Sequence, residues 1–116
     1  MIRIRTTNPR QLSERIRQAV DEGRASNWHV DNDGDYYLTR TELWGMAWMR
    51  PRFNNAEADT LYFGILEPKD QKLKKRTYAV YHCRFAEFLL SLFDNEINSL
   101  EISSMLDPTY DIYSHT

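Results

Sequence analysis

An acidic stretch near the middle of the chain carries the side chains best suited to bind a metal ion. Three aspartates alternate there and a glutamate follows: Asp31, Asp33, Asp35 and Glu42. Several carboxylate oxygens that converge from one loop are what a hard cation such as Ca²⁺ requires. The spacing therefore predicts a candidate metal site formed by these four carboxylates.

Residues 31–42 resemble the calcium-binding loop of EF-hand proteins. The resemblance implies that the three aspartates are the first ligands and that Glu42 is the bidentate one. Such a loop has glycine at its sixth position, where the backbone turns sharply, whereas this chain has Tyr36. The alternative is an acidic β-hairpin tip, because an Asp-Gly pair at Gly34 is a strong turn signal. Apart from calcium, no cofactor is expected.

His82 is a second residue whose position suggests chemistry. Helical periodicity after Tyr78 places it on the apolar face of a long helix. Burial on that face favours the neutral imidazole and would poise it as a base. A pocket at this histidine and the nearby tyrosines would suit a small enzyme or ligand-binding domain. The alternative is a core histidine that is satisfied by one hydrogen bond.

Basic residues cluster before this helix and enter its first turn. The predicted binding residues are Arg50, Arg52, Lys72, Lys74, Lys75, Arg76, Tyr78 and His82. Positive charge at the start of a helix opposes the helix dipole, so helix stability does not explain the cluster. An anionic ligand or partner would offset the conflict.

Charge is unevenly distributed along the chain. The 116 residues include 15 basic and 17 acidic side chains, and a net charge of -2 does not favour a nucleic-acid partner. Most residues from Lys69 to Arg84 that carry charge are basic, whereas the chain from Phe85 onward has acids and no Lys or Arg. Such polarity suits a protein partner with complementary patches. The alternative is a set of solvated helix faces followed by an acidic tail.

The hydrophobic pattern predicts an α+β domain with the order β-α-β-β-β-β-α. We expect an antiparallel sheet of about four or five strands, with both helices packed on one face. The first helix should begin after Asn8, which is a good N-cap, and should end near Gly23. The second helix should pack deeply against the sheet, because its apolar stripe is wide.

The segment 41–48 has two interpretations. In the first interpretation, it is part of a β-strand. In the second, it is a short helix, because Thr39 and Glu42 have the spacing of a capping box. We expect residues 1–106 to form a single domain and residues 107–116 to form a C-terminal tail.

The composition favours a binding protein over an enzyme. No P-loop, dinucleotide-binding, nucleophile-elbow or zinc-protease motif is present, and a single cysteine excludes a disulfide framework. No export signal or apolar span is visible, which predicts a cytoplasmic protein that does not contact a membrane. Three Trp, seven Tyr and five Phe exceed what so small a core easily hides, and surplus aromatics are typical of interfaces. An exposed edge strand would make a homodimer plausible.

In size, acidity and α+β pattern the chain resembles small bacterial immunity and antitoxin proteins, which neutralise a toxin by covering its active site. The resemblance is at the level of the class and implies a non-catalytic protein that binds another protein. The two alternatives are a calcium-binding module at residues 31–42 and a small enzyme or ligand-binding domain with a pocket near His82.

Overall fold

A computed structural model describes residues 1–39 and 41–112 of the chain. Its helices and strands follow one another in this order: β1 (Ile2–Arg5), α1 (Pro9–Asp21), β2 (Trp28–Val30), β3 (Tyr36–Leu38), β4 (Trp48–Arg52), β5 (Thr60–Leu66), α2 (Lys75–Phe93) and β6 (Ser99–Ile102). The predicted α+β fold is confirmed.

The strands form one antiparallel sheet with the order β2-β3-β4-β5-β1-β6. The sheet has six strands within the described residues, whereas four or five were predicted. The additional strand, β6, is short and mostly exposed, and it follows α2. It forms because its backbone pairs with the outer edge of β1. This pairing depends on the tertiary structure, so local β-propensity does not predict the strand.

Both helices cover the same face of the sheet, as predicted. Ile2 lies opposite Phe63 across the β1–β5 pair, and both side chains are fully buried. They belong to one core that also holds Ile16 of α1 and Phe85 of α2. Because side chains alternate along a strand, the residues between these core positions face the other side of the sheet, which we call the open face.

The helix boundaries follow local signals. The side chain of Asn8 accepts a hydrogen bond from the backbone of Gln11 and caps α1, while Gly23 has a φ of 76° just beyond its end. That conformation favours glycine, so the predicted end of the helix is confirmed. The second helix begins at Lys75, within the cluster of basic residues.

The segment between β3 and β4 contains turns, so its short-helix interpretation is wrong. Within residues 41–46, the amide of Trp44 donates to the carbonyl of Thr41 and the amide of Met46 to that of Leu43. Gly45 has a φ of 77°, which ends the turn and prevents a continuous helix. The strand interpretation holds only from Trp48 onward.

The segment 107–112 packs on the open face of the sheet. The ring of Tyr110 stacks on Tyr62, with 4.0 Å between centroids and 9° between planes. A Cβ atom on Gly64 would lie 1.7 Å from the carbonyl oxygen of Tyr110, so only glycine allows this approach. Residues 113–116 lie outside the described part of the chain, and the domain boundary at residue 106 stays a prediction.

Candidate protein-binding surface

The basic residues at the start of α2 are exposed. The four are Lys72, Lys74, Lys75 and Arg76. The N-cap residue forms no side-chain capping bond, and no acidic residue lies in the first turn of the helix. The positive end of the helix dipole therefore meets positive side chains, and nothing in that first turn offsets them.

A tryptophan lies beside this cluster. Trp44 is 63% exposed on the turn 41–46. The carboxylate of Glu42 lies 2.5 Å from the guanidinium of Arg76, and the hydroxyl of Tyr81 donates to the carbonyl of Leu43 at 3.3 Å. These contacts attach the turn to the first turns of α2. We call Trp44 and the four basic residues the Trp44–basic surface.

The two predicted arginines of β4 lie elsewhere. Arg50 and Arg52 alternate with buried Met49 and therefore point to the open face, whereas α2 covers the other face. The guanidinium of Arg50 forms two hydrogen bonds of 2.7 Å with the carboxylate of Asp35. Arg52 lines an open groove of about 650 Å³ beside Tyr110. The structure does not bring these arginines together with the basic residues of α2.

The three aspartates of the acidic loop converge. One carboxylate oxygen from each of Asp31, Asp33 and Asp35 lies within 4.8 Å of the others. Oδ1 of Asp31 also accepts hydrogen bonds from the amides of the other two, both at 2.9 Å. Gly34 has a φ of 83°, and the amide of Gly34 donates to the carbonyl of Asp31. This is the geometry of a hairpin turn, in which an aspartate bonds the backbone.

The fourth predicted ligand lies apart from the aspartates. Glu42 is not a member of the converging group and forms its ion pair with Arg76. Tyr36, at the sixth position of the loop, is a buried residue of β3 without a positive φ. Binding of calcium would also have to replace Arg50 as the partner of Asp35. The calcium alternative stays a prediction.

His82 lies in a buried polar network around the amino group of Met1. The predicted burial of this histidine is confirmed, with 1% of its surface exposed. The amino nitrogen lies 2.8 Å from Nε2 of His82 and 2.9 to 3.0 Å from side-chain oxygens of Tyr78, Ser103 and Asp111, so its three protons are shared among four neighbours. Asp111 supplies a buried carboxylate, which forms an ion pair with the amino group.

The hydrogen bonds of His82 fix its charge state and tautomer. An ammonium group only donates, so Nε2 accepts from Met1, and Nδ1 donates to the carbonyl of Tyr78 at 2.7 Å. Burial, followed by the nearby positive amino group, lowers the pKa of His82 to about 4. Burial also lowers the pKa of the Met1 amino group. Both ring nitrogens bond the chain itself, which supports a structural role for His82.

The sequence did not predict the roles of three residues: Ser103 and Asp111 of the network around Met1, and Trp44 of the Trp44–basic surface. Ser103 and Asp111 gave no signal, because their partner is more than 100 residues away in the chain. Trp44 lies in the segment predicted as a strand or a short helix, although its neighbour Gly45 was an available turn signal.

Comparisons with known proteins add no relative. No protein-family model matches the chain, and neither a curated protein nor a solved structure is similar to it. Among the described residues, no helix has the length and apolar character needed to cross a membrane.

Proposed function

We propose that the chain is a non-catalytic protein-binding domain that inhibits a partner protein, in the manner of immunity and antitoxin proteins, and that it contacts this partner through the Trp44–basic surface. The observation that carries the proposal is the large exposed tryptophan held beside four exposed basic side chains. Tryptophan and arginine are the residue types that most often dominate the binding energy of protein interfaces.

The chemistry of the surface favours an acidic partner. Its positive charges oppose the dipole of α2, and Glu42 pairs only with Arg76, so carboxylates of a partner would relieve the conflict that remains at the lysines. Trp44 would then be the apolar anchor at the centre, with the basic residues as a charged rim. The turn is suited to this role because Glu42 and Leu43 hold it against α2 before a partner binds.

We place this activity in the cytoplasm. Cys83 is the single cysteine of the chain, and its side chain is exposed. An exposed thiol is maintained in its reduced form in a reducing compartment.

The first test is to isolate the partner with the tagged chain and to measure the affinity of variants for it by calorimetry. We expect Trp44→Ala to weaken binding about 30-fold or more, as is typical when an interface anchor is truncated. The double variant Lys74→Glu/Lys75→Glu should slow association and reduce its dependence on salt, because it removes the steering charges.

Two matched variants control for general effects of substitution. Phe53→Ala removes an exposed aromatic side chain elsewhere, and Arg24→Glu reverses an exposed charge outside the surface. Both should retain the affinity of the unmodified chain. A partner that binds Trp44→Ala and the lysine double variant as tightly as the unmodified chain would contradict the proposal.

A further inference from the structure

Among residues 1–39 and 41–112, β6 is the last strand on its side of the sheet, and some of its backbone groups face no other described strand. The amide of Ser103 donates to the carbonyl of Met1 at 2.9 Å, and Ile102 lies opposite Ile2 in the same register. In an antiparallel ladder, hydrogen-bonded and non-hydrogen-bonded pairs alternate. The amides and carbonyls of Leu100 and Ile102 therefore point away from β1, toward the outside of the sheet.

This edge lacks the usual protection against pairing. The strand Ser99–Ile102 contains no lysine and no proline, the residues that commonly block an edge. Large apolar side chains near it are exposed: Ile102 by 39%, Met105 by 77% and Leu106 by 40%. The opposite edge, β2, is shorter and is followed directly by the acidic turn at Asp31.

The helix beneath the edge adds to the apolar surface. His82 of α2 and Ser103 both contact the amino group of Met1, so the side of α2 that carries His82 lies next to β6. Leu90 lies eight residues beyond His82, just over two turns along α2 and about 80° around the helix from it, and it is 48% exposed. The edge of β6 and the exposed Leu90 of α2 therefore lie on the same side of the molecule.

We propose that a second copy of this chain pairs with this edge, with the two β6 strands antiparallel and related by a two-fold axis at Glu101. Leu100 of each copy then lies opposite Ile102 of the other and exchanges both backbone hydrogen bonds with it. Their side chains form apolar pairs on the helix-covered face, beside Leu90.

The charges of the edge are compatible with this symmetry. The two-fold axis places the Glu101 side chains of both copies near each other on the open face. Each is accompanied by Arg3 of its own chain, whose guanidinium lies 3.5 Å from the carboxylate. Each Arg3–Glu101 pair has no net charge, so the interface brings together two neutral ion pairs. Because the free groups are arranged symmetrically about Glu101, the strand is complementary to itself, and this favours a second copy over an unrelated strand.

The test compares proline variants at the two edges of the sheet by light scattering after size exclusion, over a range of concentrations. The unmodified chain should reach twice its mass of 13.8 kDa as concentration rises. Leu100→Pro removes an outward amide without touching the β1 ladder, so it should remain monomeric. Val30→Pro is the matched control, because register and the Asp31–Asp35 bond show that the amide of Val30 points outward at β2. This control should still form the dimer.

A second variant and a second measurement keep the test decisive if the proline disturbs folding. Ile102→Lys places a charge at the edge and should also prevent dimerisation, with an unchanged circular dichroism spectrum. Hydrogen exchange at the amides of Leu100 and Ile102 should slow as concentration rises, while exchange at Val30 should not.

Two outcomes would overturn the dimer. One is a monomer at every concentration with rapid exchange at Leu100 and Ile102, and the other is a dimer that persists in both β6 variants. Trp44→Ala should leave the mass unchanged, so failure of the dimer is distinguishable from failure of the proposed partner surface.

Discussion

His82 and Met1 illustrate how burial sets protonation in this protein. A histidine on a wide apolar helix stripe is predictable from periodicity, and so is its neutral form. Its partners are not predictable from the sequence, since Met1 lies 81 residues away and Asp111 belongs to the other end of the described chain. Only the fold brings an amino group, an imidazole and a carboxylate into one buried cluster.

The depressed pKa of His82 predicts that acid destabilises the fold. Its pKa is about 4 in the folded chain and 6.5 as a reference, so the unfolded chain binds more protons between these values. Stability must therefore rise with pH through this window, by up to about 3 kcal/mol from this group. The lowered pKa of the Met1 amino group acts in the same direction at higher pH.

Urea unfolding at several pH values between 4 and 7 measures this effect. His82→Gln should be less stable at neutral pH but should lose less stability than the unmodified chain on acidification. His29→Gln is the control for general effects of replacing a histidine, because His29 is exposed. Parallel curves for the unmodified chain and His82→Gln would show that another group governs the acid sensitivity.

At the scale of elements, local sequence signals predict some boundaries of helices and strands, whereas others depend on contacts between residues that are distant in the sequence. The helix α1 was predictable at both ends from Asn8 and Gly23. The turn 41–46 was predictable only in part: Gly45 signals a turn, but its position against α2 depends on contacts of Glu42 and Leu43 with that helix. The packing of 107–112 was not predictable either, since it depends on Gly64 of β5 meeting a carbonyl far along the chain.

Gly64→Ala should detach this segment from the sheet. The added methyl group would overlap the carbonyl of Tyr110, so the segment has to move and expose both Tyr110 and Asp111. We expect a loss of about 2–4 kcal/mol in the free energy of unfolding. Gly23→Ala is a useful comparison, because Gly23, unlike Gly64, has a positive φ, and nothing lies within 4 Å of an added Cβ atom there. It should cost only about 1–2 kcal/mol for the backbone conformation.

Chemical denaturation of both variants, together with tyrosine fluorescence, separates these contributions. A loss for Gly64→Ala no larger than that for Gly23→Ala would contradict a costly overlap between the added methyl group and Tyr110. A larger loss for Gly64→Ala than for Gly23→Ala would locate the cost in the contact with Tyr110.

At the scale of the whole molecule, the first residue and the last described segment are joined through the core. Met1 donates to Asp111, and Asp111 also accepts hydrogen bonds from the amides of Ile65 and Asp107. One buried carboxylate thus links β1, β5 and the segment after β6. The uneven charge distribution, by contrast, concerns exposed side chains. The Trp44–basic surface at the start of α2 is its most basic part.

Removing residues 107–116 tests how far the predicted domain 1–106 is independent of its tail. The truncated chain would leave the Met1 amino group and His82 buried without their carboxylate, and it would expose Tyr62. Losing one partner of a buried ion pair costs about 3–5 kcal/mol, so we expect a large drop in the melting temperature. The matched chain 1–112 retains Tyr110 and Asp111 and is the reference for the comparison. If calorimetry instead gives the same melting temperature for 1–106 as for 1–112, the network around Met1 contributes little, and residues 1–106 are a self-sufficient domain.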